Sequence, residues 1–324
     1  MNLNSTRGVS KRGILLIGFN RPTLFRERLN EIKSFDNQDM QIIISIDGPR
    51  ENNPQDPISV ATIVEEIRNS NFSADVEIWI SDTNQGCDLH IYKAITKAFN
   101  ICDYLAVIED DIEVSSTSIA EMLNIAELQM ENFKESPVIA MSGLFWKIPW
   151  IENSWRKSYF FSAWGYVLSK NFWELHTRRV EENPGIIDLG ILESNEIWAS
   201  MSTRRKFIWN ERMGRKNYDY SIQRTLFEYQ IPTIAPKYRM INNLGHGISG
   251  ASHTRFRSPW YLRKSVEIGK ASIQKNRQER IKNNKILIWL DSQTWAGDGL
   301  LSVRGRTSGV RTYLKRILRK IVDR

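Results

Sequence analysis

Four short runs rich in Ile, Val and Leu, each ending in a polar loop and each followed by a stretch of helix length, constrain this chain more than any other feature. They are Ile14 to Gly18, Ile42 to Ile46, Val76 to Ser81 and Tyr104 to Ile108. Runs this short and apolar suit strands buried on both faces. Their alternation with helical segments is the pattern of βαβ units around a mainly parallel sheet. One predicted helix starts at Pro22, whose fixed φ and missing N–H suit a first turn, and continues through Leu24 and Leu29. A second opens near Asp56 or Ser59 and sets Val60, Ile63, Val64 and Ile67 on one face. A third covers Leu89 to Asn100, and a fourth runs from about Ser118 to Lys134.

In sheets of this kind ligands bind beyond the carboxyl ends of the strands. Those ends carry Phe19-Asn20-Arg21-Pro22, Asp47-Gly48-Pro49-Arg50, Asp82-Thr83-Asn84-Gln85-Gly86 and Glu109-Asp110-Asp111. Polar and acidic side chains therefore collect along one edge. The 324 residues allow one large α/β domain with additions, or two smaller ones. Hydrophobic residues at 41% and charged residues at 25% exclude a disordered or fibrous chain.

The early apolar run Ile14 to Phe19 is too short for a signal-peptide core, and no run approaches the ~20 residues of a membrane-spanning helix. A cytoplasmic protein is expected. Cys87 and Cys102 are too few for a disulfide framework or a cysteine-based zinc site, and they read as ordinary thiols in a reducing compartment. The net charge of +8 is concentrated from Arg255 onward. Such a tail attracts anionic lipid, nucleic acid or a phosphorylated substrate, and charge alone does not choose among them. No helix-turn-helix, zinc or RNA-reading motif accompanies it, which counts against a basic nucleic-acid-binding protein.

Aromatic residues crowd the segment from Ser142 to Trp173, among them Trp146, Trp150, Phe160, Phe161, Trp164, Tyr166, Phe172 and Trp173. They read either as core packing or, in part, as the wall of a cleft where sugar faces stack.

The acidic triplet Glu109, Asp110, Asp111 directly follows a buried strand. Carboxylate oxygens suit hard ions such as Mg²⁺ or Mn²⁺, which keep several waters and share their other positions with substrate phosphates. Such an ion neutralises charge on a leaving diphosphate. In an extended segment residues i and i+2 face the same way, which would set Glu109 and Asp111 together and Asp110 opposite. Asp111 is then the candidate direct metal ligand, and Asp110 lies nearer the donor's ribose or sugar. The bland alternative is an acidic surface turn or a helix N-cap.

The order of motifs resembles the GT-A fold glycosyltransferases, in particular a bacterial branch of nucleotide-diphospho-sugar transferases. The motifs are GFNRP, SIDGPR, NQGC, IEDD, Ser142-Gly143, FSAWGYVLS, Tyr218-Asp219-Tyr220, Ile234-Ala235-Pro236 and the stretch Asn242 to Thr254. They cover about Gly13 to Thr254 in order. Two positions depart from the branch: Asn217, where an aromatic is expected, and His246, where Phe is common.

The resemblance implies a GT-A (Rossmann-like), mainly parallel sheet flanked by helices. A catalytic domain over 1–255 would hold a nucleotide-sugar half at about 13–115 and an acceptor half at about 140–255, with a basic helical C-terminal extension over 256–324. It implies Mn²⁺ or Mg²⁺, a nucleotide-diphosphate sugar donor and a glycan or lipid-linked acceptor, in surface polysaccharide or glycoconjugate assembly, with inversion at the sugar. Asn20 and Arg21 would lie near the nucleotide, and Asp47 would accept a hydrogen bond from base or ribose; Asp47 also reads as a turn residue. Asn84 and Gly86 would let backbone approach the donor, or form a simple helix-entry turn. His253, ahead of His246, would join Asp111 and Glu109 at the metal, or be a polar loop histidine. His90 and His176 fall on predicted helices and read as structural or surface residues.

Asp219 is the candidate general base, with Glu196 and Glu211 as weaker substitutes; its alternative is a capping or ion-paired Asp. A sugar-phosphate nucleotidyltransferase is the competing enzyme reading. It would need a Gly-rich, Arg/Lys-bearing loop after the first strand, which GFNRP is not. At the C-terminus Val310, Tyr313, Leu314, Ile317, Leu318, Ile321 and Val322 recur at helical spacing among Arg and Lys. A helix of that kind lies on an anionic membrane surface, making the enzyme peripheral there, or packs on the enzyme's own body.

Overall fold

A computed structural model describes residues 10–35, 40–72, 76–132, 138–140, 156–182, 189–199, 201, 203–214, 217–235 and 240–245. The first part alternates strand and helix: β1 (Arg12–Gly18), α1 (Pro22–Lys33), β2 (Gln41–Ile46), α2 (Gln55–Asn69), β3 (Val76–Ile80), α3 (Cys87–Ala98) and β4 (Tyr104–Glu109). Then come β5 (Ile112–Val114), α4 (Ser116–Asn132), β6 (Val138–Ala140), β7 (Arg156–Ser158), β8 (Tyr166–Ser169) and α5 (Lys170–Glu182). The last described elements are α6 (Leu189–Glu193), α7 (Glu196–Ala199), α8 (Thr203–Met213), α9 (Tyr218–Glu228), β9 (Thr233–Ala235) and β10 (Ile241–Asn243).

One eight-stranded sheet has the order β3-β2-β1-β4-β8-β6-β9-β7. β3, β2, β1 and β4 run parallel, β8 pairs antiparallel with β4, and β6 and β9 pair parallel further out. This is the mainly parallel α/β architecture expected, with all four early strands and helices in place. β6, β7, β8 and β9 extend the same sheet, so both halves of the described chain contribute to it, while β5 and β10 form a separate two-stranded sheet.

β1, β2 and β4 are apolar on both faces because each face is covered, whereas β3, at the sheet's edge, is partly exposed. Ile14 and Leu16 of β1, Ile42, Ile44 and Ile46 of β2, and Ala106 and Ile108 of β4 meet Phe25, Leu29 and Ile32 of α1 and Val60, Ile63 and Ile67 of α2. On the other face Leu15, Ile17, Ile43, Leu105 and Val107 meet Ile91, Ala94 and Ile95 of α3 and Ile222 and Leu226 of α9. Strand period two and helix spacing of three and four thus interlock as the pattern requires. Most of the described aromatics between 156 and 173 are core: Phe160, Phe161, Tyr166, Phe172 and Trp173 are all at most 6% exposed. Ser142-Gly143, the stretch 246–254 with His246 and His253, and the extension 256–324 lie outside the described residues. No described helix is long and apolar enough to cross a membrane.

Candidate active site

In the sheet β1 lies between β2 and β4; the chain leaves β1 toward β2 and leaves β4 toward β6 on the other side, so the loops after β1 and β4 part and leave a crevice at the sheet's carboxyl edge. A cavity of about 420 Å³ lies there. Its walls include Asn20, Arg21, Asp47, Asn84, Gly86, Glu109, Asp110 and Asp111 from the early loops, and Tyr218, Asp219, Asn243 and Gly245 from later in the chain. Of the candidate site residues, every one but His253 lines this space, and His253 is outside the described residues.

Arg21, the residue before α1, ties the acidic segment together. Its guanidinium bonds both oxygens of Asp110, and its Nη1 donates to Asp111 Oδ2 at 2.7 Å. Burial would lower the Arg21 pKa, but Asp110 and Asp111 more than reverse this and raise it. Asp110 is 1% exposed, and burial pushes its pKa up to about 6 against the pull of Arg21.

The alternation expected for the triplet does not hold. β4 ends at Glu109 and the chain turns at Asp110 and Asp111, so these two carboxylates converge on one cation while Glu109 goes elsewhere. Glu109 Oε1 accepts the Tyr218 hydroxyl at 3.2 Å, and burial, with Asp111 and Asp110 nearby, lifts its pKa to about 8. β10 pairs antiparallel with β5, and Leu244 N–H donates to the Asp111 carbonyl at 2.8 Å. Gly245 then lies so close that a Cβ there would sit 2.1 Å from Asp111 Oδ2. Only a bare Cα lets that strand close over the carboxylate.

Asp47, at the end of β2, is 4% exposed and works on the protein itself. Its Oδ1 accepts Gly48 N–H and Gln85 N–H, each at 2.9 Å, and its Oδ2 accepts Asn84 Nδ2 at 2.9 Å and Gly86 N–H at 3.1 Å. His90 Nδ1 stands 3.7 Å from Oδ1, and its Nε2 meets Ser45 Oγ at 3.1 Å. Asp47 therefore pins the 84–86 loop against β2. Gly86 takes φ 79°, a conformation that favours glycine, and launches α3 toward the cavity. Asn20 donates to buried Asp56, which Arg50 holds through Nε at 2.5 Å and Nη2 at 3.0 Å. Those Arg50 bonds keep the Asp56 pKa down at about 2. Arg50 also lies over the Phe19 ring, 5.2 Å from its centroid.

Asp219, in the first turn of α9, also lines the cavity, and its Oδ1 accepts Tyr220 N–H at 2.8 Å. Glu196 and Glu211 are exposed and do not line the cavity. His90 and His176 are buried inside α3 and α5, at 4% and 1% exposure. His176 Nδ1 meets Thr225 Oγ1 at 2.8 Å, and burial foremost drives its pKa down to about 3.

Sequence reasoning gave no role to Arg50, Asp88 or the Tyr218 side chain, which line the cavity, and left Trp164, which also lines it, between core packing and a cleft wall. Asp88, two residues past Gly86, carried one available signal as an acid in a first helical turn. Trp164 carried none that separates it from its buried aromatic neighbours.

No family model matches the chain, and no curated protein does. Among solved structures, a mannosyltransferase from Pyrobaculum calidifontis in complex with GDP-Man and Mn²⁺ aligns at 10% identity and TM-score 0.35, covering 52% of this chain and 47% of its own. The match spans about half the length of that protein. HddC from Yersinia pseudotuberculosis aligns at 13% identity and TM-score 0.29, over 50% of this chain and 79% of its own. A 4-diphosphocytidyl-2C-methyl-D-erythritol synthase from Anaerococcus prevotii aligns at 8% and 0.33, over 57% and 82%. At scores this low none of these likenesses bears on what the chain does.

Proposed function

We propose that this chain is a metal-dependent, inverting glycosyltransferase that moves a sugar from a nucleotide-diphosphate donor to an acceptor hydroxyl. The observation that carries the reading is one cavity lined by the carboxylate pair Asp110 and Asp111 and also by Asp219. Two carboxylates drawn onto one guanidinium mark a place that calls for positive charge, and Asp111, 14% exposed at its side chain, faces the cavity. These groups fit a hard divalent ion. Asp111 would hold it, with Asp110 and Glu109 beside it and His253 as a further candidate from the stretch that begins at Gly245. Among the described residues no three His, Cys, Asp or Glu groups are arranged to hold a metal, so the proposed ion would need water and substrate phosphate for its other positions. When bound, Mn²⁺ or Mg²⁺ neutralises the charge that builds on the departing diphosphate.

The chain's own residues supply the rest. Asn20 and Arg21 border the donor space, and Asn84 and Gly86 line its edge, where the bare Cα of Gly86 lets a donor come close to the backbone. Asp219 takes the proton of the acceptor hydroxyl, a role worth ~10²- to 10⁴-fold in rate. The catalytic unit is residues 1–255. The extension 256–324 would hold the enzyme at an anionic membrane face, where a lipid-linked acceptor in surface polysaccharide or glycoconjugate assembly is found.

The experiment is a thermal-shift series with UDP, GDP and the nucleoside triphosphates, each with and without Mn²⁺ or Mg²⁺. A ligand at 100 times its Kd stabilises the folded state by ~2.7 kcal/mol. A metal-requiring shift with UDP or GDP supports the reading. A shift with a triphosphate alone would favour a sugar-phosphate nucleotidyltransferase instead.

A further inference from the structure

The start of α9 is satisfied from outside its own segment. Asn217, at the N-cap position, makes no side-chain cap bond. Ser221 N–H donates to the Asn217 carbonyl at 3.0 Å and Tyr220 N–H to Asp219 Oδ1 at 2.8 Å. Tyr218 N–H instead donates to Asp88 Oδ1 at 2.9 Å, across 130 residues of sequence. Asp88 sits in the first turn of α3, and α3 begins where Asp47 gathers Asn84, Gln85 and Gly86. Hydrogen bonds thus tie the end of β2 to the 84–86 loop, the chain runs on into α3, and Asp88 ties α3 to the helix that carries Asp219.

Hydrogen bonds between Gln223 and Phe161 and Tyr159, and from Arg179 to Ser221 and Thr225, hold the middle of this helix, and the Asp88 bond holds its first residue, next to Asp219. Ile91 and Ile95 of α3 share a core cluster with Tyr218, Ile222 and Leu226 of α9, and such contacts are non-directional. The Asp88 bond is directional. It also sets a carboxylate at the positive end of α9, a favourable placement. That matters because Asp88, Asp219, Glu109 and Asp111 lie close together: after burial, they are what raises the Cys87 thiol's pKa.

We propose that Asp88 is a positioning residue that caps α9 in trans and fixes Asp219 in the cavity that Asp110 and Asp111 also line. The role assigned to Asp219 rests on the functional reading above. Two measurements test the proposal on the full chain. In amide hydrogen exchange, Tyr218 N–H is protected in the wild type, loses protection in Asp88→Ala and keeps it in Asp88→Asn, whose side-chain oxygen still accepts. In release of UDP or GDP from UDP-glucose or GDP-mannose with Mn²⁺, Asp88→Ala lowers kcat ~10- to 10²-fold, the scale of a small misplacement. Its affinity for UDP or GDP stays unchanged, Asp88→Asn stays close to wild type, and Asp88→Ala adds nothing in an Asp219→Asn background.

Asp88→Asn as slow as Asp88→Ala would overturn the proposal, since the charge itself would then be acting on substrate or metal. So would an unchanged kcat in Asp88→Ala despite lost Tyr218 protection. Should Asp88→Ala not fold, Asp88→Gln displaces the acceptor by one methylene and replaces it in both measurements. A wild type that binds neither UDP nor GDP with Mn²⁺ defeats the functional reading, and the positioning claim falls with it; the cap is then judged by exchange alone.

Discussion

The most discriminating substitution is at Asp47, because the family resemblance and the geometry predict different consequences. As a direct ligand of base or ribose, Asp47 would matter to affinity and little to stability. As the clamp seen here, it accepts four hydrogen bonds while 4% exposed. Asp47→Ala leaves the N–H groups of Gly48, Gln85 and Gly86 without their acceptor; Asn84 Nδ2 keeps a second one, the Gly48 carbonyl at 3.0 Å. A hydrogen bond to a charged group is worth ~1.5–3 kcal/mol, and a stranded buried donor costs ~1–3 kcal/mol. Three stranded donors at a part-open cavity edge, where water reaches some of them, put the loss near ~3–5 kcal/mol.

At the ~2 °C per kcal/mol suited to a chain of this size, Tm should fall by ~6–10 °C. Asp47→Asn should lose about half as much, since one oxygen keeps its two donors while the new NH₂ faces the other two. The assays are urea denaturation of both variants and calorimetry with UDP and GDP well below their melting points. The clamp predicts a stability loss that exceeds any loss in affinity. An Asp47→Ala protein melting within ~1 °C of wild type while losing more than ~1.4 kcal/mol of nucleotide affinity, tenfold in Kd, would refute it.

Asp111→Asn should abolish the metal-dependent part of UDP or GDP binding, by calorimetry, while Tm in metal-free buffer changes little, because one Arg21 bond of three is lost. Asp219→Asn should keep donor affinity and lower turnover ~10²-fold or more. His176 gives a pH prediction. Its folded pKa of about 3 lies below the usual His value near ~6.5, so the unfolded chain takes up the proton first. Stability from neutral His176 is complete above pH ~6.5 and is lost as pH falls toward ~3, by ~2 kcal/mol at pH 5. Urea midpoints at pH 7.5 and 5 should therefore draw closer together in His176→Gln than in wild type. Removing Thr307 to Arg324 should abolish salt-sensitive sedimentation with anionic liposomes and leave the catalytic domain folded. Full-length protein that never sediments, or a deletion that unfolds the domain, would assign that helix to the core.

The early strands were legible because burial on both faces writes itself as an unbroken apolar run, and each helix signalled its start or its buried stripe. The acidic segment was legible for the opposite reason: three carboxylates directly after such a run have no apolar explanation. What could not be read was how their directions divide, since alternation holds only while the chain stays extended, and β4 ends at Glu109. Trp164 was hidden among aromatics of identical type, because which ring faces a cavity depends on strands arriving from elsewhere. The roles of Asp47 and Asp88 were hidden more deeply. Their partners are mostly backbone N–H groups, at Gly48, Gln85, Gly86 and Tyr218, and a backbone donor is the same whatever residue carries it. Motif matching assigns a carboxylate its role by position, yet acceptor capacity is finite. With Asp47's oxygens each holding two donors of the protein itself, charge available to a ligand shifts toward Asp111 and Asp219. Both line the one cavity, which is what the proposed reaction between a bound donor and an incoming hydroxyl requires.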